Sequence, residues 1–98
     1  MSAPVLYTWR GFSVVDADKL SEGRRARAEA LALELHGLRL ELHVTLRGAA
    51  ERLGFDYLDF AELDAGFAVF ENVDGWEALK SALRHLAEEN AGGARGAA

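Results

Sequence analysis

The clearest repeating pattern in the chain is a strict alternation of apolar and polar residues over 38–47. The apolar positions are Leu38, Leu40, Leu42, Val44 and Leu46, and the polar positions are Arg39, Glu41, His43, Thr45 and Arg47. A β-strand places successive side chains on opposite faces, so a period of two predicts a strand. We therefore expect a strand over 38–47, with its leucine face in the core and its polar face in water.

Three further segments have the composition of strands. Residues 5–15 are rich in β-branched and aromatic side chains and are interrupted at Gly11, which favours one bulged strand over two short strands. Residues 57–63 and 67–73 flank the tripeptide Asp64-Ala65-Gly66, whose glycine can take the left-handed conformation of a bulged hairpin. The second and third segments are therefore predicted to pair as antiparallel strands.

Two segments have helical periodicity. The first is predicted to begin at Asp16 as N-cap, with Ser21 as the alternative start, and to end at Gly37 as a left-handed residue. The second is predicted to begin at Asp74, because Glu77 follows three positions later as in a capping box. Their apolar stripes are Leu20, Ala28, Leu31 and Leu35 in the first helix and Trp76, Leu79, Leu83 and Leu86 in the second.

These elements follow the order β-α-β-β-β-α. That order predicts a two-layer α+β sandwich, in which a mainly antiparallel sheet of four strands carries two helices on one face. A chain of 98 residues with 50% hydrophobic content can form one core, so we expect a single domain over 1–90. Residues 91–98 are predicted to be a flexible Gly/Ala tail.

Charge and composition restrict the environment of the protein. The formal net charge is −5, and residues 53–79 contain seven acids without lysine or arginine, which disfavours a nucleic-acid partner. The chain has no cysteine, no apolar run long enough for a membrane span and no signal peptide at its start, so we expect a cytoplasmic protein that does not bind membranes. Abundant alanine and arginine without isoleucine are typical of a GC-rich bacterial genome.

No motif in the chain specifies a reaction. The three histidines lack the spacing of a zinc site, the acids over 56–64 do not converge on one strand face, and glycine-rich phosphate loops are missing. We therefore predict no cofactor, no metal site and no catalytic residue.

The leading functional hypothesis is association, either as a homodimer or as an accessory subunit that binds a protein partner. Two helices cover one face of the predicted sheet, while the strands carry apolar side chains on both faces. The predicted interface consists of Tyr7, Trp9, Leu33, Tyr57 and Phe70.

The alternative hypothesis is a small domain that binds an anionic ligand, or a small enzyme. Arginines in the first turns of a helix oppose its macrodipole, and a bound phosphate or carboxylate would compensate for them. The residues predicted to line this site are Arg24, Arg27, Arg39, His43 and Arg47.

Overall fold

Three antiparallel strands form one sheet in the order β1-β2-β3, and four α-helices pack against it within the described part of the chain. The computed structural model describes residues 3–97, and the side chains of residues 3–90. The strands are β1 (Val5–Trp9), β2 (Phe12–Asp16) and β3 (Ala68–Phe70). The helices are α1 (Glu22–Glu41), α2 (Leu46–Leu53), α3 (Tyr57–Ala65) and α4 (Val73–Ala97), and a 3-10 turn spans Ala17–Lys19. The α+β class is confirmed, whereas the predicted counts of four strands and two helices are wrong.

The first segment folds as two short strands and not as one bulged strand. Arg10 and Gly11 connect β1 to β2 with φ angles of 51° and 86°, and a two-residue hairpin loop favours left-handed values at both positions. Trp9 pairs with Phe12 next to this turn. The Arg10 guanidinium lies over the Trp9 ring, 4.6 Å from its centroid, which helps the non-glycine residue to hold its place in the turn.

Both faces of the sheet are covered where β2 pairs with β3. Neighbouring residues of a strand point to opposite faces, yet Val14 and Val15 of β2 are both fully buried, and so are Val69 and Phe70 of β3. Helices α1, α3 and α4 all contact β3. The prediction that two helices cover one face of the sheet is therefore wrong. The short sheet lies between helices on both of its faces.

The predicted strand over 38–47 is wrong, because α1 continues to Glu41 and α2 begins at Leu46. Leucine, arginine and glutamate are strong helix formers, and a two-residue alternation also places leucines four positions apart, as a helix face requires. Gly37 stays inside α1, and His43 is the left-handed residue (φ 58°) that follows the helix end. The Thr45 hydroxyl then accepts a hydrogen bond from the Gly48 amide and caps α2.

The predicted strand over 57–63 is also a helix. The Asp56 carboxylate caps α3, because it accepts hydrogen bonds from the amides of Leu58 (3.1 Å) and Asp59 (3.4 Å). Gly66 has the predicted left-handed conformation (φ 84°), but it ends α3 and does not form a hairpin. The strand predicted over 67–73 is reduced to the three residues of β3.

The predicted second helix, at the end of the chain, is confirmed, but its first residue differs from the prediction. Its predicted stripe, Trp76, Leu79, Leu83 and Leu86, is fully buried. Helix α4 begins at Val73, so Asp74 lies in the first turn and the predicted N-cap is misplaced. The predicted tail, 91–98, overlaps the last residues of α4 and ends outside the described residues, so its flexibility stays a prediction.

Aromatic side chains connect the hairpin to the helices. The Trp9 ring stacks on Phe55 with a centroid distance of 5.1 Å, and Phe70 meets Trp76 edge to face at the same distance. The indole Nε1 of Trp9 donates a buried hydrogen bond of 2.7 Å to the carbonyl of Leu53. This cluster fixes the positions of α2 and α4 relative to β1.

Gly75 and Gly23 provide a matched stability prediction. Both are helical glycines, but a Cβ atom at Gly75 would lie 2.5 Å from the Phe70 ring, whereas at Gly23 it would meet nothing within 4 Å. Gly75→Ala is expected to lower the free energy of unfolding by about 1 to 3 kcal/mol through overpacking. Gly23→Ala is expected to raise it by roughly 0.5 kcal/mol, as alanine usually does in a helix. Urea unfolding checks both, and a stabilised Gly75→Ala variant would contradict the packing of α4 on β3.

Candidate functional site

The five residues predicted to bind an anion lie at separate places in the fold. Arg24 and Arg27 are in the first half of α1, Arg39 is near its end, His43 is in the following turn and Arg47 is in α2. Twelve residues of helix separate Arg27 from Arg39, an axial distance of about 18 Å at the usual helical rise. The set therefore does not surround one ligand.

Arg24 and Arg27 are the two members of the set that share a cleft. This cleft has a volume of about 210 Å³, lies between α1 and the start of α4, and is also lined by Leu20, Leu31 and Val73. Neither arginine makes a salt bridge with the side chains that the structure describes. Both guanidinium groups are therefore available to an anion.

Arg39 has a structural role in a buried ion pair. Its Nε and Nη2 atoms donate to the two carboxylate oxygens of Asp64 over 2.8 Å and 3.2 Å, and its Nη1 donates to the carbonyl of Val44 over 3.0 Å. Both side chains of the pair are more than nine-tenths buried. The guanidinium links α1 to α3 and to the turn before α2, so it has no free face for a ligand.

His36 joins the same pair from the surface. Its Nδ1 lies 2.7 Å from Oδ2 of Asp64 and 3.3 Å from Nη2 of Arg39, and the shorter contact favours an Nδ1–H that donates to the carboxylate. The imidazole is 40% exposed, and it borders a cleft of about 500 Å³ together with Leu33 and Phe67. Asp64 thus orients a histidine whose Nε2 can form a hydrogen bond with a bound group.

Sequence reasoning missed this histidine–carboxylate contact. His36 lies next to the predicted helix end at Gly37, and Asp64 lies in the predicted hairpin turn 28 positions later. No spacing rule connects two positions that far apart. The side chains described by the structure hold no group of three or more His, Cys, Asp or Glu that could bind a metal.

Exposed apolar side chains surround the cleft beside His36. Leu33 of α1 is 70% exposed and Phe67 before β3 is 72% exposed, and both line that cleft. Phe67 and the half-exposed Leu6 also line an adjoining cleft of about 420 Å³. Leu40 lies two helical turns after Leu33 and is also exposed. We call Leu6, Leu33, Leu40 and Phe67 the Leu33–Phe67 surface.

The predicted interface residues are divided between core and surface. Trp9 and Phe70 are 4% and 2% exposed and belong to the core, because helices cover both faces of the sheet. Leu33 and Tyr57 are exposed, and the Arg47 guanidinium lies 5.2 Å from the centroid of the Tyr57 ring. Leu33 and Tyr57 therefore remain accessible to a partner, while Trp9 and Phe70 do not.

Tyr7, the fifth predicted interface residue, is partly buried at the edge of the sheet. Its hydroxyl lies 3.5 Å from the carbonyl oxygen of Asp59. Burial raises the pKa of the Tyr7 hydroxyl well above its usual value, and the nearby charges of Asp59 and Glu62 raise this pKa further. Tyr7 is therefore a neutral hydrogen-bond donor and not a proton-transfer group.

Across residues 3–97, the helices are too short or too polar to cross a membrane. Protein-family models, curated proteins and solved structures give no significant match to this chain.

Proposed function

We propose that this protein acts by association, as a homodimer that buries the Leu33–Phe67 surface. The observation that carries the proposal is the pair of large apolar side chains, Leu33 and Phe67, exposed on the walls of one cleft. Scattered apolar side chains are common on protein surfaces, whereas adjacent ones usually mark an interaction site. We place the dimer in the cytoplasm, because proteins of this reducing compartment rarely contain disulfides and this chain has no cysteine.

The charges around this surface include both signs, as contacts between two copies of the chain require. The cleft that contains Leu6 and Phe67 is lined by one base, Arg25, and by four acids, Asp16, Asp18, Glu29 and Glu62. A two-fold axis brings the same patch of each subunit together, and an arginine of one copy can then face an acid of the other. Most soluble homo-oligomers have this closed symmetry.

Substitutions in the apolar surface test the proposal. Leu33→Asp and Phe67→Asp should each weaken self-association by at least about tenfold, which corresponds to roughly 1.4 kcal/mol of binding free energy. Leu58→Asp is the matched control, because Leu58 is similarly exposed on α3 but lies outside the surface. Sedimentation equilibrium measures the dissociation constants. Equal effects of all three substitutions would contradict the assignment of the interface.

A second candidate function is the binding of a small anion between Arg24 and Arg27. The supporting observation is that the two guanidinium groups, which make no salt bridge with the described side chains, line one cleft whose other walls are mostly apolar and include one acid, Glu71. Trp76 also lines this cleft, so titration with benzoate should shift the NMR signal of its indole N–H. The indole N–H signal of Trp9, which is hydrogen-bonded to the Leu53 carbonyl, should stay constant. Arg24→Gln should abolish the shift. A shift that survives this substitution would remove the candidate.

A further inference from the structure

The outward face of α1 repeats with the spacing of a helix-pairing seam. Its exposed positions are Ala26, Ala30, Leu33, Gly37 and Leu40, at alternating intervals of four and three residues. The buried positions of the same helix, Ala28, Ala32, Leu35 and Arg39, lie on the opposite side. An apolar repeat of about 3.5 residues is the pattern by which two helices pack along their length. We call the exposed set the α1 outer seam.

Charged residues flank the α1 outer seam in a complementary order. Arg27 precedes Glu34 along one side of the seam, and Glu29 precedes His36 along the other side. An antiparallel partner reverses the order of the charges, so Arg27 meets Glu34 of the partner subunit, and Glu29 meets His36 of the partner subunit. A parallel partner would place Arg27 near Glu22 of the partner subunit, but it would also bring Glu34 close to Glu29 of the partner subunit, a like-charge contact that the antiparallel arrangement avoids.

We infer that two copies of this chain pair through α1 in antiparallel orientation, with Leu33 packed on Ala30 of the partner subunit. In the same register Ala26 lies opposite Gly37 of the partner subunit, and these small residues allow the helix axes to approach to about 8 Å. Phe67, next to Leu33 in the same cleft, then covers the side of the seam. The inference rests on the proposed homodimer and specifies its geometry.

The flanking charges are free to change partners. Arg27 makes no salt bridge with the side chains described over residues 3–90. Within one chain, Glu34 lies 3.9 Å from the Lys80 ammonium and Glu29 lies 3.4 Å from the Arg25 guanidinium, and both carboxylates are more than half exposed. The exposed Arg25–Glu29 pair contributes little to stability. Lys80, whose side chain is 12% exposed, keeps Glu77 at 3.7 Å when Glu34 turns to the partner subunit. Both carboxylates can therefore form contacts across an interface.

Cysteine cross-linking tests the orientation directly, since the chain contains no cysteine of its own. Ala26→Cys and Gly37→Cys proteins are mixed and oxidised. The antiparallel register predicts a disulfide-linked heterodimer of the two variants, with no cross-linked product when either variant is oxidised alone. Ser81→Cys, at an exposed position of α4, is the control for random oxidation.

The other possible outcomes contradict either the antiparallel pairing of α1 or the homodimer itself. Self-linked Ala26→Cys dimers would show a parallel arrangement and overturn the inference. A dimeric wild-type mass without the mixed disulfide would also overturn it, while the proposed homodimer would stand on another surface. A monomeric wild-type mass would overturn both.

Charge reversal tests the register independently. The two-fold axis creates two contacts between Arg27 and Glu34 of the partner subunit. Arg27→Glu makes both contacts repulsive and should raise the dissociation constant of the dimer about tenfold. Arg27→Glu/Glu34→Arg should restore the dissociation constant, because the exchange returns opposite charges to each pair. Arg52→Glu, at an exposed position of α2 in a cleft that contains no residue of α1, should leave the dissociation constant unchanged. A double variant as weak as the single variant would overturn the proposed pairing.

Discussion

Asp64→Leu is expected to lower the free energy of unfolding by about 3 to 5 kcal/mol, the usual effect of removing one member of a buried ion pair. The loss has a specific cause in this fold. Arg39 is buried, and without the Asp64 carboxylate its charge keeps two acceptors that carry no negative charge, the Val44 carbonyl and, 3.3 Å from Nη2, Nδ1 of His36. Urea unfolding followed by circular dichroism measures the change.

Two controls separate the uncompensated charge from other effects. Arg39→Met/Asp64→Leu should recover most of the lost stability, because a buried ion pair replaced by well-packed apolar residues is often nearly neutral. Arg52→Met breaks an exposed pair with Glu89, 2.9 Å long, and should cost less than about 1 kcal/mol. A double variant as unstable as Asp64→Leu would show that packing around Asp64, and not charge compensation, holds α1 to α3.

Phe60→Ala and Leu58→Ala distinguish the observed helix from the predicted strand. In a strand these two side chains lie on one face, whereas in α3 they point to opposite sides. Phe60 is fully buried and Leu58 is 67% exposed. We therefore expect Phe60→Ala to cost about 3 to 5 kcal/mol and Leu58→Ala to change stability by less than about 0.5 kcal/mol.

Thermal unfolding of both variants checks this pair. The Phe60 ring contacts Phe55 at a centroid distance of 5.0 Å, so its removal opens a cavity in the aromatic cluster. Comparable losses in the two variants would mean that Leu58 and Phe60 are buried together. The helical assignment of residues 57–65 would then be wrong.

The parts of the fold that the sequence predicts well are those in which several local signals agree. The last helix has an apolar stripe from Trp76 to Leu86 at helical spacing, and all of its members are buried. The left-handed conformation of Gly66 was also predicted, since glycine is favoured there. That conformation is shared by hairpins and helix ends, which is why its structural context was misassigned.

The two wrong strands have a common physical cause. An apparent period of two over 38–47, and a hairpin-like tripeptide after 57–63, outweighed the helix propensity of leucine, glutamate, arginine and alanine. The capping residues were visible in the sequence, because Thr45 and Asp56 precede α2 and α3. Greater weight on these caps would have predicted both helices and shortened the sheet to three strands.

The candidate site was less accessible to sequence reasoning. Arg39 occupies a position on the buried face of α1, and its partner Asp64 is 25 residues away, so neither could be recognised as half of a pair. Leu33 is the exception. Its place opposite the apolar stripe of its own helix predicted an exposed side chain, and the structure confirms the exposure.

The mass of the protein in solution tests the proposed association most directly. Light scattering at micromolar concentration should give a molar mass of twice the 10.7 kDa of one chain, because two copies are expected to associate through Leu33 and Phe67. Dilution should then lower the mass towards the value of one chain, as mass action requires for a dimer. A mass of 10.7 kDa that does not change with concentration would contradict the homodimer.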